Sequence, residues 1–318
     1  MIGNEPITIV QTNQHGAGSW TSTSTNRSGR RKRRRGGSPC ARSSRSSASR
    51  FPGELIRAMG REGLFGCALP PEQGGSGLGF LAHALVCEEI SRAWSSLRSF
   101  FNSQALTVPL TILKHGTGEQ KEKYVRPLVT AEEIGLIAIT EPDAGSDVAG
   151  IRTTARKRGG YYVLNGRKTW ISHAPVFDCG IVLVKTDPSK RHDGISIVIV
   201  EPSDPGLSVR SIEDKLGHMA DPIGEVVFED CEIPTDRLVG PENGGFAIIM
   251  EALDHGRLSV AAGAVGVAQA CMDCSVSYAR SREQFGQPIG RFQMVQKMIA
   301  DMACEVKAAR LLTHHCDD

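Results

Sequence analysis

Several kinds of signal are missing from this chain, and each absence narrows what it can be. No uninterrupted apolar run is long enough to span a bilayer; the best stretches, such as 259–271, are small-residue helical segments. No Gly-x-Gly-x-x-Gly or P-loop pattern occurs, and Gly166, Gly217 and Gly245 read as turn residues rather than phosphate-binding ones. The nine cysteines are scattered without a metal-like cluster. Cys271 and Cys274 form a lone CxxC inside a helical pattern, so reduced thiols packed as small hydrophobes are expected. The histidines show no ligand spacing, and His314-His315-Cys316 reads as a solvated chain end, so no metal is expected. No internal repeat is visible.

Charge is short where a nucleic-acid binder would need it. The formal net charge is +2, but residues 1–50 hold ten basic residues against the single acid Glu5. That leaves 27 basic and 34 acidic residues in 51–318, a net of −7, and no electrostatic case for nucleic acid in the folded part. Residues 16–50 are mostly Ser, Thr, Gly and Arg with little to bury, so disorder is expected. Three readings of that start compete. Arg31-Lys32-Arg33-Arg34-Arg35 suits a nuclear or nucleic-acid patch, an acid-poor start suits a mitochondrial transit peptide, and the third is a start that is not a selected sequence.

What is present is ordered. At 318 residues the chain is long enough for two or more domains. After Phe51-Pro52 the apolar positions Leu55, Ile56, Met59 and Leu64 recur at helical spacing, and further helices are expected over 81–93, 102–114 and 118–129. Thr117 with Gln120 three residues on predicts a capping box. From Ile134 the texture becomes β-rich, with short runs at 136–139, 161–164, 179–184, 194–200 and 225–228. Their spacing predicts a small antiparallel barrel or sandwich ending near Pro234. The helical period then returns over 248–282 and 291–314.

The most informative stretch is Thr140-Glu141-Pro142-Asp143-Ala144-Gly145-Ser146-Asp147, followed by Tyr162 through Ser172. The first part is a turn carrying hydroxyls, a glycine and carboxylates. The second reads as a short strand pair with a β-turn at Asn165-Gly166, ending on Trp170-Ile171-Ser172. Such a surface suits a flat, polar-edged aromatic cofactor, with Trp170 stacking and Thr140, Ser146 and Ser172 bonding heteroatoms.

These motifs, in this order, resemble the flavin-binding signature of the acyl-CoA dehydrogenase family, over about residues 51–318. The resemblance implies an α+β multidomain fold: an N-terminal helical domain (51–133), a middle antiparallel β-barrel (134–236) and a C-terminal helical bundle (237–318) reduced to two long helices, after a disordered basic segment (1–50). It implies FAD, with Ile137, Ile139, Thr140, Gly145 and Ser146 along the ring and phosphates, and Trp170, Ile171 and Ser172 covering the ring. Arg282, Phe285 and Gln293 resemble the segment that reaches the cofactor from a neighbouring subunit, which implies a homodimer or homotetramer. Ser146, Asp254 and Arg257 would contact the acyl-CoA; without the resemblance, Asp254 and Arg257 read as an exposed i,i+3 ion pair.

The family reaction removes the α-proton of an acyl thioester while hydride leaves the β-carbon for flavin, and electrons pass to an electron-transfer flavoprotein. Where a minority of the family carries the base, one position before Arg257, this chain has Gly256, leaving room for a base from elsewhere. Most of the family carries a Glu beyond the second long helix, and the chain ends at Asp318 before that loop, so a missing catalytic base is expected. Ser95-Ser96-Leu97-Arg98-Ser99 resembles a run of glutaryl-CoA dehydrogenases, which makes Arg98 a candidate carboxylate clamp. Leu253-Asp254-His255-Gly256-Arg257 instead resembles the short-chain type. The expectation is an FAD-dependent acyl-CoA dehydrogenase, cytoplasmic or in the mitochondrial matrix, binding neither membrane nor nucleic acid. A non-catalytic FAD- or CoA-binding fragment and a nucleic-acid-binding relative are the competing readings.

Overall fold

The computed structural model describes residues 51–315; the expectations for 1–50 and 316–318 lie outside them. α1 (Gly53–Arg61) starts directly after Pro52 and buries Ile56 and Met59. α2 (Gly79–Ala93) follows the glycine-rich break. α3 (Arg98–Phe100) runs into a π-helical stretch, Phe101–Thr107, and on into α4 (Val108–His115). π-helical turns are rare and gather at functional sites. α5 (Gly118–Gln120) opens with the expected capping box, since Thr117 and Gln120 bond reciprocally, and continues through Lys121–Val125 into α6 (Arg126–Val129). Ile56, Phe65, Phe100, Phe101 and Leu106 form the core of these helices. Each such side chain contributes on the order of 2 kcal/mol when fully buried.

The β-rich part holds β1 (Gly135–Ala138), β2 (Thr154–Arg158), β3 (Tyr161–Ser172), β4 (Cys179–Lys185), β5 (Ile195–Val200), β6 (Leu207–Ile212), β7 (Ile223–Pro234) and β8 (Leu238–Val239). Their order is β6-β7-β3-β2-β4-β5-β8, with β1 beside β4. This corrects the antiparallel barrel: β1 pairs parallel with β4, Gly135 opposite Cys179, and no pairing among the described residues joins β6 to β8. The sheet is mixed because β1 and β4 enter it from the same side, separated by the β2–β3 hairpin. β4 and β5 are buried on both faces. Ile181, Leu183, Ile197 and Ile199 face the helices, while Val182, Val184, Val198 and Val200 pack on Phe228 and Ile233.

A second correction concerns Asn165-Gly166, which is not a turn. β3 continues through it as one strand, with a register shift against β7 between Leu164 and Gly166. Asn165 is tied across the strands, its Nδ2 donating to Asp230 and its Oδ1 accepting from the Asp230 amide. Gly166 sits at φ +144°, which permits the bulge.

α7 (Gly245–Ser281) and α8 (Gln293–His315) are the two long helices expected. They are joined through the small hairpin β9 (Glu283–Gln284) and β10 (Gln287–Pro288). Phe285 and Gly286 both have positive φ, as a tight hairpin turn demands. α7 and α2 cross closely, since a Cβ on Gly266 would lie 2.1 Å from the Glu88 carbonyl oxygen. By length and composition α7 is long and apolar enough to cross a membrane, which no uninterrupted run in the sequence suggested. Core helices of water-soluble folds pass the same test.

Candidate functional site

A cleft of about 220 Å³ opens where the helical part meets the sheet. Its lining includes Arg98, Ser99, Asn102 and Ser103 from the α3 and π-helical segment, Ile137, Ile139 and Thr140 from the end of β1, and Trp170, Ile171 and Ser172 from the end of β3. Arg98, Ile137, Ile139, Thr140, Trp170, Ile171 and Ser172 are all expected from the sequence, and the fold brings them together here. Ser99, Asn102 and Ser103 join them with no signal in the sequence.

Trp170 dominates the cleft. It has φ +61° and its side chain is 63% exposed. A left-handed conformation at a bulky residue costs roughly 1–3 kcal/mol and persists only where its surroundings impose it. The cause is a second register shift, between Lys168 and Ile171, which turns the indole outward while Ile171 returns to the core.

A buried ion pair braces the residue just before that shift. Lys168 is fully buried and its Nζ donates to Glu141 Oε1 at 2.8 Å and to the Ile139 carbonyl at 3.0 Å. Glu141 also accepts from the Arg152 and Thr153 amides. Burial alone would raise the Glu141 carboxyl; Lys168 and the two amides outweigh it and hold the group below its ordinary range. Glu141 is therefore fully engaged in fixing the 139–141 turn against β3, and is no base.

Behind Ser172 lies a second polar chain. The Ser172 hydroxyl donates to Asp221 Oδ2 at 3.0 Å. Asp221 Oδ1 faces His173 Nε2 at 3.3 Å, and His173 Nδ1 lies 3.0 Å from the Gly135 carbonyl, which fixes it as the donor. The His173 ring stacks on Phe100 at 4.1 Å. Burial holds His173 below its ordinary value, against the pull of Asp221.

On the helix side two glycines of α7 admit cleft side chains. A Cβ at Gly263 would lie 2.2 Å from Arg98 Cδ, so the absence of a side chain there seats the arginine. A Cβ at Gly256 would lie 2.8 Å from Asn102 Oδ1. The room over Gly256, read as space for an incoming base, is thus already taken by Asn102. That oxygen is buried without a hydrogen-bond partner.

The other expected site residues are not in the cleft. Gly145 and Ser146 are exposed in the loop beyond the Glu141–Ala144 bridge. Asp254 and Arg257 are exposed and form no ion pair with each other, against the bland reading of that spacing. Arg282, Phe285 and Gln293 are exposed at the far end of α7 and the start of α8, with Phe285 at 93%. Glu251 points elsewhere, 2.6 Å from Lys114 Nζ and 2.9 Å from His115 Nε2.

The apolar floor, the exposed indole and the rim of hydroxyls and amide fit a flat aromatic group with polar edges. Comparison with known proteins agrees. Residues 34–132, 137–231 and 243–316 match the profiles described as the N-terminal, middle and C-terminal domains of acyl-CoA dehydrogenase. Over 264 residues the chain is 46% identical to a glutaryl-CoA dehydrogenase of Desulfococcus multivorans, covering 82% of this chain and 68% of that protein. It is 40% identical to the caffeyl-CoA reductase-Etf complex subunit CarC of Acetobacterium woodii, covering 83% of this chain and 70% of that one. A solved glutaryl-coenzyme A dehydrogenase in complex with glutaryl-CoA superposes with a TM-score of 0.83 at 44% identity, covering 85% and 69% of the two chains. A glutaryl-CoA dehydrogenase of Mycobacterium smegmatis in complex with FADH2 superposes at 0.80 with 31% identity, covering 85% and 68%. The chain belongs to the acyl-CoA dehydrogenase family, flavoprotein oxidoreductases that act on CH–CH bonds with FAD as cofactor.

Proposed function

We propose that the cleft holds the isoalloxazine ring of FAD against Trp170, and that the protein serves α,β-dehydrogenation of an acyl-CoA thioester with electrons passing to an electron-transfer flavoprotein. The outward, strained indole at the mouth of a polar-rimmed cleft carries this reading. FAD, when bound, supplies the hydride acceptor. The chain's own residues supply the face: Ile137, Ile139 and Ile171 exclude water, and Thr140, Ser172, Ser99 and Ser103 offer hydroxyls to polar edges. Gly145 and Ser146 on the adjoining loop are assigned to the cofactor's phosphates. Asp254 and Arg257 are assigned to the CoA, and Arg282, Phe285 and Gln293 to the cofactor of a second copy. The segments 51–133, 134–236 and 237–318 are assigned as its three domains. The reading places the protein in the cytoplasm or the mitochondrial matrix, with a second copy of the chain as partner.

Arg98 gives the substrate class. A guanidinium seated against Gly263 and facing the cleft is suited to bidentate capture of a distal carboxylate, so a dicarboxylic acyl-CoA such as glutaryl-CoA is the proposed ligand.

No carboxylate lines the cleft among the described residues, and Glu141 and Glu251 are engaged elsewhere. We therefore assign residues 51–315 the cofactor and acyl sites but not the proton acceptor, which must come from outside them. The same observation favours the second reading, a subunit that binds FAD and CoA without turnover.

The test mixes FAD-loaded protein with glutaryl-CoA or butyryl-CoA without oxygen and follows flavin absorbance. A shifted spectrum without bleaching is expected, with glutaryl-CoA bound more tightly. Arg98→Ala should remove that preference by roughly 10- to 100-fold, the strength of a charged hydrogen bond. Rapid bleaching by either thioester would overturn the assignment of the base, and equal affinities before and after the substitution would remove the clamp.

A further inference from the structure

We propose that Asp221 is a positioning residue that turns Ser172 into an acceptor toward the cleft, and that the site thereby prefers the reduced cofactor. This rests on FAD occupying the cleft as described above. Ser172 is the last residue of β3 and stands opposite Ile223, so Asp221 reaches back beside its hydroxyl. The His173 amide donates to the Pro222 carbonyl at 2.7 Å, which fixes the 221–223 turn against the strand end. Lys215 Nζ donates to the Asp221 carbonyl and, at 2.8 Å, to the His218 carbonyl, closing the loop from the other side.

Asp221 is 4% exposed, so its carboxylate has few alternatives to the groups it meets. One oxygen takes the Ser172 proton at 3.0 Å; the other faces His173. A hydroxyl has one proton and two lone pairs. With the proton held by Asp221, Ser172 Oγ presents only lone pairs to whatever lies in the cleft. It can therefore accept from an N–H but cannot donate to a bare ring nitrogen. An oxidised isoalloxazine carries one N–H and two bare ring nitrogens, while the reduced ring carries more N–H groups. A fixed acceptor at this wall favours the reduced form for that reason. An unconstrained serine would rotate to suit either.

The test uses the full chain reconstituted with FAD, and measures the preference for reduced over oxidised cofactor from anaerobic midpoint titrations. Four proteins are compared: wild type, Ser172→Ala, Asp221→Asn and the double variant. The cycle cancels the change of charge at Asp221, which is common to both backgrounds. In the wild-type background Ser172→Ala should lower the preference roughly fivefold, one hydrogen bond's worth. In the Asp221→Asn background it should have no effect or the opposite one, because the amide can donate to Ser172 and free its proton. Equal effects in the two backgrounds would overturn the proposal. Ser172→Thr, which keeps the hydroxyl without touching Asp221, should retain the wild-type preference. Failure of threonine to do so would sink the idea even if Asp221→Asn does not fold. Absence of FAD uptake by the wild type would overturn the cofactor assignment as well, whereas uptake with additive effects removes this proposal alone.

Discussion

β3 breaks its register against β7 twice, and the two breaks are built differently. At Leu164/Gly166 the strand places a glycine at φ +144°, where any Cβ would meet Thr153 Oγ1 at 2.6 Å. At Lys168/Ile171 it places a tryptophan at φ +61° and leaves the indole 63% exposed. The first break relieves its strain with the residue best suited to it. The second keeps the strain and exposes a large apolar ring that the core would otherwise bury. A bulge that only had to bend the strand would use glycine at both places. The difference marks the second bulge as shaped for what lies outside the strand.

Between the two bulges sits Lys168, and the largest effect is expected there. Lys168→Met would leave Glu141, 7% exposed, as an uncompensated buried carboxylate, which costs about 3–5 kcal/mol. Denaturant midpoints should fall accordingly, and the Trp170 bulge should loosen with them. The pH dependence has a definite sign. Glu141 titrates lower in the folded state than an ordinary glutamate, so its contribution is fully present above the ordinary glutamate range. It is lost as pH falls through the lower folded value, and a wild-type stability curve without an acid limb there would contradict the pairing.

Gly166→Ala tests the first bulge. The added methyl meets Thr153 and the backbone angle is closed to alanine, so a loss of about 3 kcal/mol is expected from strain and overpacking together. FAD affinity of the folded fraction should stay within about twofold, because Gly166 is not among the residues lining the cleft. A loss of cofactor without loss of stability would reverse the roles given to the two bulges.

The sequence was most readable where one element suffices. The apolar period of α7 and α8 and the continuous runs of β4 and β5 announce themselves, as does the Thr117 capping box. β2 and β6 went unread because they lack an apolar run: β2 is Thr-Ala-Arg-Lys-Arg, and β6 buries none of its residues fully. Asn165-Gly166 carries the strongest short hairpin signal there is, yet here it bends a strand that pairs on both sides with β7. The cleft shows the same division. Trp170-Ile171-Ser172 was legible as a motif, whereas Asp221 and Asn102 join it only through strand register and a glycine-lined helix crossing. Arg282, Phe285 and Gln293 lie exposed around the β9–β10 hairpin and the start of α8, outside the cleft.

Trp170→Gly separates the two bulges with the smallest expected effect. Glycine tolerates φ +61°, so the substitution removes a strain of about 1–3 kcal/mol. It adds backbone freedom to the unfolded chain, which returns up to ~1 kcal/mol of that gain. Because the indole is 63% exposed, little buried area is lost, and a net stabilisation of about 1 kcal/mol should appear in denaturant titrations. Cofactor affinity should move the other way, falling roughly tenfold with the loss of one stacking contact. Stability and binding changing in opposite directions at this one residue is what a strained, cofactor-facing side chain requires. If both fall together, the indole is holding the fold, and its outward turn has the same structural origin as the bend at Gly166.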